Sequence, residues 1–280
     1  KKNQVILCRI YLLDLLVKKG MGILPKQVAA IIPENARQSV KRSLQGFFQS
    51  GLTKVSGGKS NALLLSYGHF ELTPFIVFQG FLQGYNLLPN LQGGKHSIWD
   101  DPELRGVIPI QDFKIRNDLL RSIKKEKTKE PDQQLEIKVN TNFKDTIIGC
   151  SRTSGKKNRV WLTADFIKSA LQLHEIGIAH SVEAYQNGIL VGGVIGFAIN
   201  GYFVTLSLFH TVDNASKIAF YYLLVKLKDD GFTLHLSGAA NSWFTQYGMV
   251  NVEKEEFRID LIKAVATPTK FTATVPQLSF

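Results

Sequence analysis

Six histidines and two cysteines are the side chains best suited to hold a metal or attack a substrate, and their spacing argues against both. His69, His96, His174, His180, His210 and His235 are scattered, without the close pairing on one helix face that metal sites favour. Cys8 and Cys150 are too few for a disulfide framework or a thiolate zinc cluster, so two buried reduced thiols are expected. His210 adjoins Phe209 at the end of an apolar run, where it could serve as a base or simply be hydrogen-bonded. No metal and no cofactor are implied.

Charge is the stronger signal. The 280 residues carry a formal net charge of +11. Residues 1–70 hold 11 Lys and Arg against 2 Asp and Glu, so +9 of that surplus lies in the first quarter. A concentrated basic patch attracts polyanions. The same quarter patterns as three helices and a hairpin. Ile10 to Val17, Val28 to Ile31 and Ala36 to Ser50 supply the helices; Leu52–Val55, a glycine turn and Asn61–Leu65 supply the hairpin. This resembles a winged helix, with Arg37, Lys41 and Arg42 on the outer side of the third helix and Lys54 and Lys59 on the wing. Nucleic-acid contact is the expected use; protein packing is the other.

With 44% hydrophobic residues, the chain can bury a sizeable core. No run approaches the ~18 apolar residues a membrane span needs; Val5 to Val17 is broken by Arg9 and Asp14. Lys1 and Lys2 precede that run, but no small-residue cleavage site follows, so a cytoplasmic location is expected. Beyond residue 70, Thr73-Pro74 opens a helix running to about Gly84, and Arg105–Pro109 reads as an extended edge segment. Asn117–Lys125 and Thr141–Gly149 read as short helices around a strand at Leu135–Val139. Thr163 caps a helix over 164–176. Ser181–Tyr185, Leu190–Ala198 and Phe203–Phe209 form a meander through the Asn187-Gly188 and Asn200-Gly201 turns. A helix at Ala215–Asp229, a strand at Thr233–Ser237, a short helix at Asn241–Tyr247 and a strand at Phe257–Val265 complete the order. The fold class is α+β: a basic winged-helix-like module (1–70), a small α/β segment (71–150) and a GNAT-like acyltransferase domain (151–280). Coenzyme A is not expected, because His210–Asn214 lacks the glycines of a pyrophosphate turn.

The stretches His180-Ser-Val-Glu183, Leu190-Val-Gly-Gly193, Ser207-Leu-Phe209 and Asn214-Ala-Ser-Lys217 resemble the leucyl/phenylalanyl-tRNA–protein transferases. That family's pattern here reads H-S-[IV]-E, L-V-G-G, F-x-G-E-S-M-F-S, N-A-S-K. Leu72-Thr-Pro74, Trp99, Arg105-Gly-Val107, Val160-Trp-Leu-Thr163 and Leu173-His-Glu-Ile-Gly177 agree in order, so the resemblance spans roughly residues 72–265. It implies aminoacyl-tRNA as donor and a protein N-terminus as acceptor. Leucine or phenylalanine would pass to an N-terminal Lys or Arg, which marks the acceptor for degradation (an N-degron).

The resemblance further implies an apolar slot for the donor side chain at Val194, Phe203, Leu208, Phe220 and Leu227, and a platform for the terminal adenosine at Trp99, Trp161 and Asn241. Such a slot must be open to hold a ligand. The polar pattern is missing: the family's glutamate falls on Leu206, and its D-x-Q on Leu236-Ser237-Gly238. Three readings follow. One is a working aminoacyltransferase with weakened or altered activity. Another is a non-catalytic relative that binds aminoacyl-tRNA or nucleic acid, and the third a nucleic-acid-binding regulator sensing a small apolar ligand.

Overall fold

The computed structural model describes residues 72–88, 98–153, 162–239 and 242–278. The chain divides into two compact units, 1–64 and 65–280; the winged-helix reading, with Arg37, Lys41, Arg42, Lys54 and Lys59, falls outside the described residues, as do Trp161 and Asn241.

Within 65–280 the elements are α1 (Pro74–Leu82), β1 (Asn86–Leu88), β2 (Ile98–Asp100), β3 (Leu104–Val107), α2 (Asn117–Glu126), β4 (Glu136–Val139), α3 (Phe143–Thr153) and α4 (Ala164–Glu175). Then follow β5 (Ala179–Gln186), β6 (Ile189–Ile199), β7 (Tyr202–His210), α5 (Ala215–Asp229), β8 (Leu234–Ala239), a 3-10 turn (Ser242–Tyr247), β9 (Val250–Glu253) and α6 (Lys254–Ala266). Seven strands form one mixed sheet in the order β4-β5-β6-β7-β8-β3-β9, and β1 pairs with β2 in a separate ribbon. The fold is therefore α+β around a large mixed sheet. Strands β3 and β4, from residues 71–150, are hydrogen-bonded into the same sheet as β5 to β9.

The meander β5-β6-β7 is set by its turns. Asn187 and Gly188 have φ of +52° and +74°, the left-handed backbone a two-residue hairpin requires, and Asn200 repeats it at +52°. Chain reversal after β7 must cross the sheet to lay β8 parallel to β7, and α5 makes that crossover. Thr163 caps α4 by accepting a hydrogen bond from the Phe166 N–H at 3.3 Å.

Gly192 and Gly193 explain why helices can press on both faces of β6. A Cβ on Gly192 would lie 2.6 Å from the Ala215 Cβ of α5, and one on Gly193 would lie 2.9 Å from Thr146 of α3. The α5 face holds the main core, with Val182, Val194, Phe220, Leu224 and Phe232 joined by Phe271 from the C-terminal segment. Phe271 stacks on His180 at 4.3 Å, and Lys226 donates to Thr272 Oγ1 at 2.8 Å and Thr274 O at 2.9 Å while pairing with Asp230. That lashes residues 271–274 across α5.

Two expectations fail. Residues 257–265 are not a strand but lie inside α6. Phe257, Ile259 and Leu261 alternate as strand residues would, yet Ile259 is exposed, while Phe257, Leu261, Ala264 and Val265 are buried at helical spacing. Arg105–Pro109 is not an edge: β3 lies between β8 and β9. The edge is β9, a four-residue strand of mostly exposed side chains with too little apolar patterning to announce itself. Its neighbour explains Arg105, which is buried, donates to Asp101 at 2.6 Å and sits 5.4 Å over the Phe257 ring.

Candidate active site

Strands β7 and β8 run parallel from Tyr202 opposite Leu234 to Val204 opposite Leu236, and their pairing ends there. Each strand is bulged just past that point. On β7, Ile195 faces Ser207 and Gly196 faces Thr205, which leaves Leu206 as the extra residue. On β8, Val107 faces Leu236 and Arg105 faces Ala239, so Ser237 and Gly238 stand against Gly106 alone. Gly238 adopts φ +100°. Bulges twist and redirect strands, and these two flank a cleft of about 150 Å³. Among the described residues its lining is Phe81, Asn86, Leu87, Leu88, Val204, Thr205, Leu206, Ser237 and Gly238.

None of those side chains is ionisable, so the described lining suits a neutral ligand group and offers no side chain for proton transfer. Its polar members are Asn86, Thr205 and Ser237. Thr205 Oγ1 lies 2.8 Å from His235 Nε2. His235 is itself wholly buried, with its Nδ1 unpartnered, and burial lowers its pKa to about 3. It is a neutral ring. Because a buried bare N–H is costlier than a bare lone pair, the tautomer of lower energy has Nε2–H donating to Thr205. Ser237 Oγ donates to Gly106 O at 2.8 Å, bridging the β8 bulge. Asn86 is 7% exposed, and its Nδ2 has no acceptor among the described residues.

The positions where the polar pattern is lost converge here. Leu206 and Gly238 line the cleft, and Leu236 is buried beneath it opposite Val204. The expected slot residues also come together, as Val194, Phe203, Phe220 and Leu227 share one buried cluster with Leu208 packed against it. They are packed tightly: Phe203 lies 5.6 Å from Phe271, and Phe220 lies 4.7 Å from Tyr247 and 5.2 Å from Phe244. None of the five lines the cleft, which opens one residue further along β7. Trp99 pairs with Leu87 and packs edge-on against Phe81 at 5.2 Å, a layer behind the cleft wall. His210 is exposed at the end of β7, with Nδ1 3.1 Å from Ser216 Oγ.

The H-S-V-E stretch ties neighbouring elements together. Glu183 accepts from Ser181 Oγ and from the Asn142 N–H at the start of α3, and burial raises its pKa. His180 Nδ1 faces the Asn140 amide at 3.0 Å and Nε2 faces Gly177 O at 3.2 Å, with its pKa lowered to about 3 by burial. The Cys150 thiol is pushed up to about 12 by burial, as expected of an inert structural cysteine. Among the described residues no group of three His, Cys, Asp or Glu is placed to hold a metal ion, and no helix is long and apolar enough to cross a membrane.

Sequence reasoning missed Asn86 and Thr205. A signal for Thr205 was present: it occupies the glycine of F-x-G-E, directly before Leu206. Asn86 follows the helix-ending Gly84 in a run of unremarkable loop residues and carried no signal.

The family model described as "Leucyl/phenylalanyl-tRNA protein transferase" matches residues 107–262. A Gloeobacter violaceus leucyl/phenylalanyl-tRNA–protein transferase is 32% identical over 201 residues, 71% of this chain and 97% of that protein. One from Chlorobaculum tepidum is 31% identical, covering 70% and 96%. Among solved structures, FemX aligns at a TM-score of 0.41 with 12% identity over 55% of this chain and 60% of that one, too distant to add to the fold described above. With matches of this length and identity, the chain belongs to the leucyl/phenylalanyl-tRNA–protein transferase family.

Proposed function

We propose that this chain transfers leucine or phenylalanine from aminoacyl-tRNA to the N-terminal Lys or Arg of acceptor proteins, with altered activity. The observation that carries the reading is the cleft at the β7–β8 splay, which bears Leu206 and Gly238 where the family pattern is polar. The donor ester is already activated, so a neutral acceptor amine needs chiefly to be placed. Well-oriented intramolecular reactions gain about 7–11 kcal/mol from positioning alone. The side chain of the donor would lodge against Val194, Phe203, Leu208, Phe220 and Leu227. The adenosine would rest near Trp99, Trp161 and Asn241, where stacking on a base contributes about 1–3 kcal/mol. In this reading the 151–280 region works as a GNAT-like acyltransferase without a cofactor, in the cytoplasm. The basic residues 1–70, through Arg37, Lys41, Arg42, Lys54 and Lys59, bind nucleic acid as a winged helix.

A second reading has a specific observation in its favour: among the described residues no ionisable side chain lines the cleft, as expected of a relative that binds aminoacyl-tRNA without transfer. Purified protein incubated with phenylalanyl-tRNA carrying labelled phenylalanine and a peptide beginning with Arg separates the two. Label in the peptide supports transfer. Retention of the charged tRNA with no labelled peptide supports the second reading, and duplex DNA binding with no preference for tRNA counts against both.

A further inference from the structure

Among the described residues the cleft has three polar side chains, and two of them already have a hydrogen-bond partner. Thr205 is bonded to His235 and Ser237 to the Gly106 carbonyl. Asn86 differs: it lines the cleft, is nine-tenths buried, and its Nδ2 has no acceptor among the described residues. A buried donor without a partner costs about 1–3 kcal/mol. Nothing else in β1 explains that cost, since an apolar residue beside Leu87 and Leu88 would pack without it. Of the other described side chains in the cleft, Phe81, Leu87, Leu88, Val204 and Leu206 cannot accept a hydrogen bond, and Thr205 and Ser237 are bonded elsewhere and not to the Asn86 amide.

We infer that Asn86 is the group that holds the acyl carbonyl of the donor in this cleft, its Nδ2–H donating to the carbonyl oxygen. This rests on the transferase reading and deepens it, because it assigns polar work in a site whose family positions Leu206, Leu236 and Gly238 are apolar. The reaction balances without a further reactant. The acceptor nitrogen attacks the ester carbon and a C–N bond forms. Negative charge grows on the carbonyl oxygen facing Asn86, the C–O bond to the ribose breaks, and the proton lost by the nitrogen ends on the ribose oxygen. A donor amide aimed at such an oxygen is typically worth about 10²–10³ in rate.

The test uses the full chain with Asn86→Leu and Asn86→Met; both remove the donor and keep a side chain of similar size. Transfer from phenylalanyl-tRNA to the Arg peptide is expected to lose about 10²-fold in kcat in both variants. Binding is read with two probes: adenosine carrying phenylalanine through a 3′-amide, and its reduced form with the carbonyl replaced by a methylene. Wild type should prefer the carbonyl probe, and both variants should lose that preference. A structural Asn86 would make Asn86→Leu less stable, whereas the inference expects unfolding of this variant at the wild-type denaturant concentration or above. Wild-type rate and probe preference in the variants overturn the inference and leave the transferase reading standing. A wild-type protein that neither transfers nor binds either probe removes both.

Discussion

Buried polar atoms, more than exposed ones, decide what this site can do. Thr205→Val would strip His235 of its one partner and leave both ring nitrogens bare, costing about 1–3 kcal/mol, read as a lower urea midpoint. His180 and His235 also set a pH dependence. Each has a folded-state pKa of about 3 against 6.5 for the free ring. The unfolded chain therefore binds more protons between those values, and stability is lost as pH falls from about 6.5 toward 3. The raised Glu183 carboxyl acts in the opposite direction above its ordinary range. His235→Gln, which keeps a donor for Thr205, should flatten the slope of unfolding midpoint against pH. Restoring the family residues with Leu236→Asp and Gly238→Gln should bring no gain in transfer. The first buries a charge in a fully enclosed position, and the second places a side chain at φ +100°, a backbone cost of about 1–3 kcal/mol. Increased label in the peptide would show instead a site that had only decayed.

At the scale of elements, glycine spacing on β6 governs how close the helices lie. Gly192→Ala would set a methyl 2.6 Å from Ala215 Cβ and push α5 off the sheet. Overpacking of this kind costs about 1–3 kcal/mol, measurable by thermal unfolding. The meander, the crossover helix and both hairpin turns were readable in the sequence because period-two runs end at Asn-Gly pairs. Strand β9 and helix α6 were not. β9 is short and mostly exposed, and α6 hides its helical face behind the alternation of Phe257, Ile259 and Leu261. The cleft was legible only in part. Leu206, Leu236 and Gly238 were marked by the missing polar pattern, but the bulges that bring Leu206 and Gly238 to one opening depend on pairing with β6 and β3, which no local pattern records.

Across the molecule, the C-terminal segment completes a core that the matched region 107–262 does not. Phe271 contacts His180, Phe203 and Phe232, and Asp230 accepts from Thr272 N–H at 2.9 Å and from its hydroxyl at 2.8 Å. Phe271→Ala should cost about 3–5 kcal/mol, seen as a lower denaturant midpoint. The pairing of β7 and β8 stops at Val204 and Leu236, and transfer is proposed for the space beyond. The most direct measurement is the rate at which labelled phenylalanine passes from its tRNA to an Arg-initiated peptide, in wild type and in Leu206→Trp, whose indole fills that space. Transfer by wild type and a loss of about 10²-fold or more in a folded Leu206→Trp protein is the expected result, since small misplacements at a reacting centre cost that much. Equal rates in the two proteins, or no transfer by wild type, would contradict it.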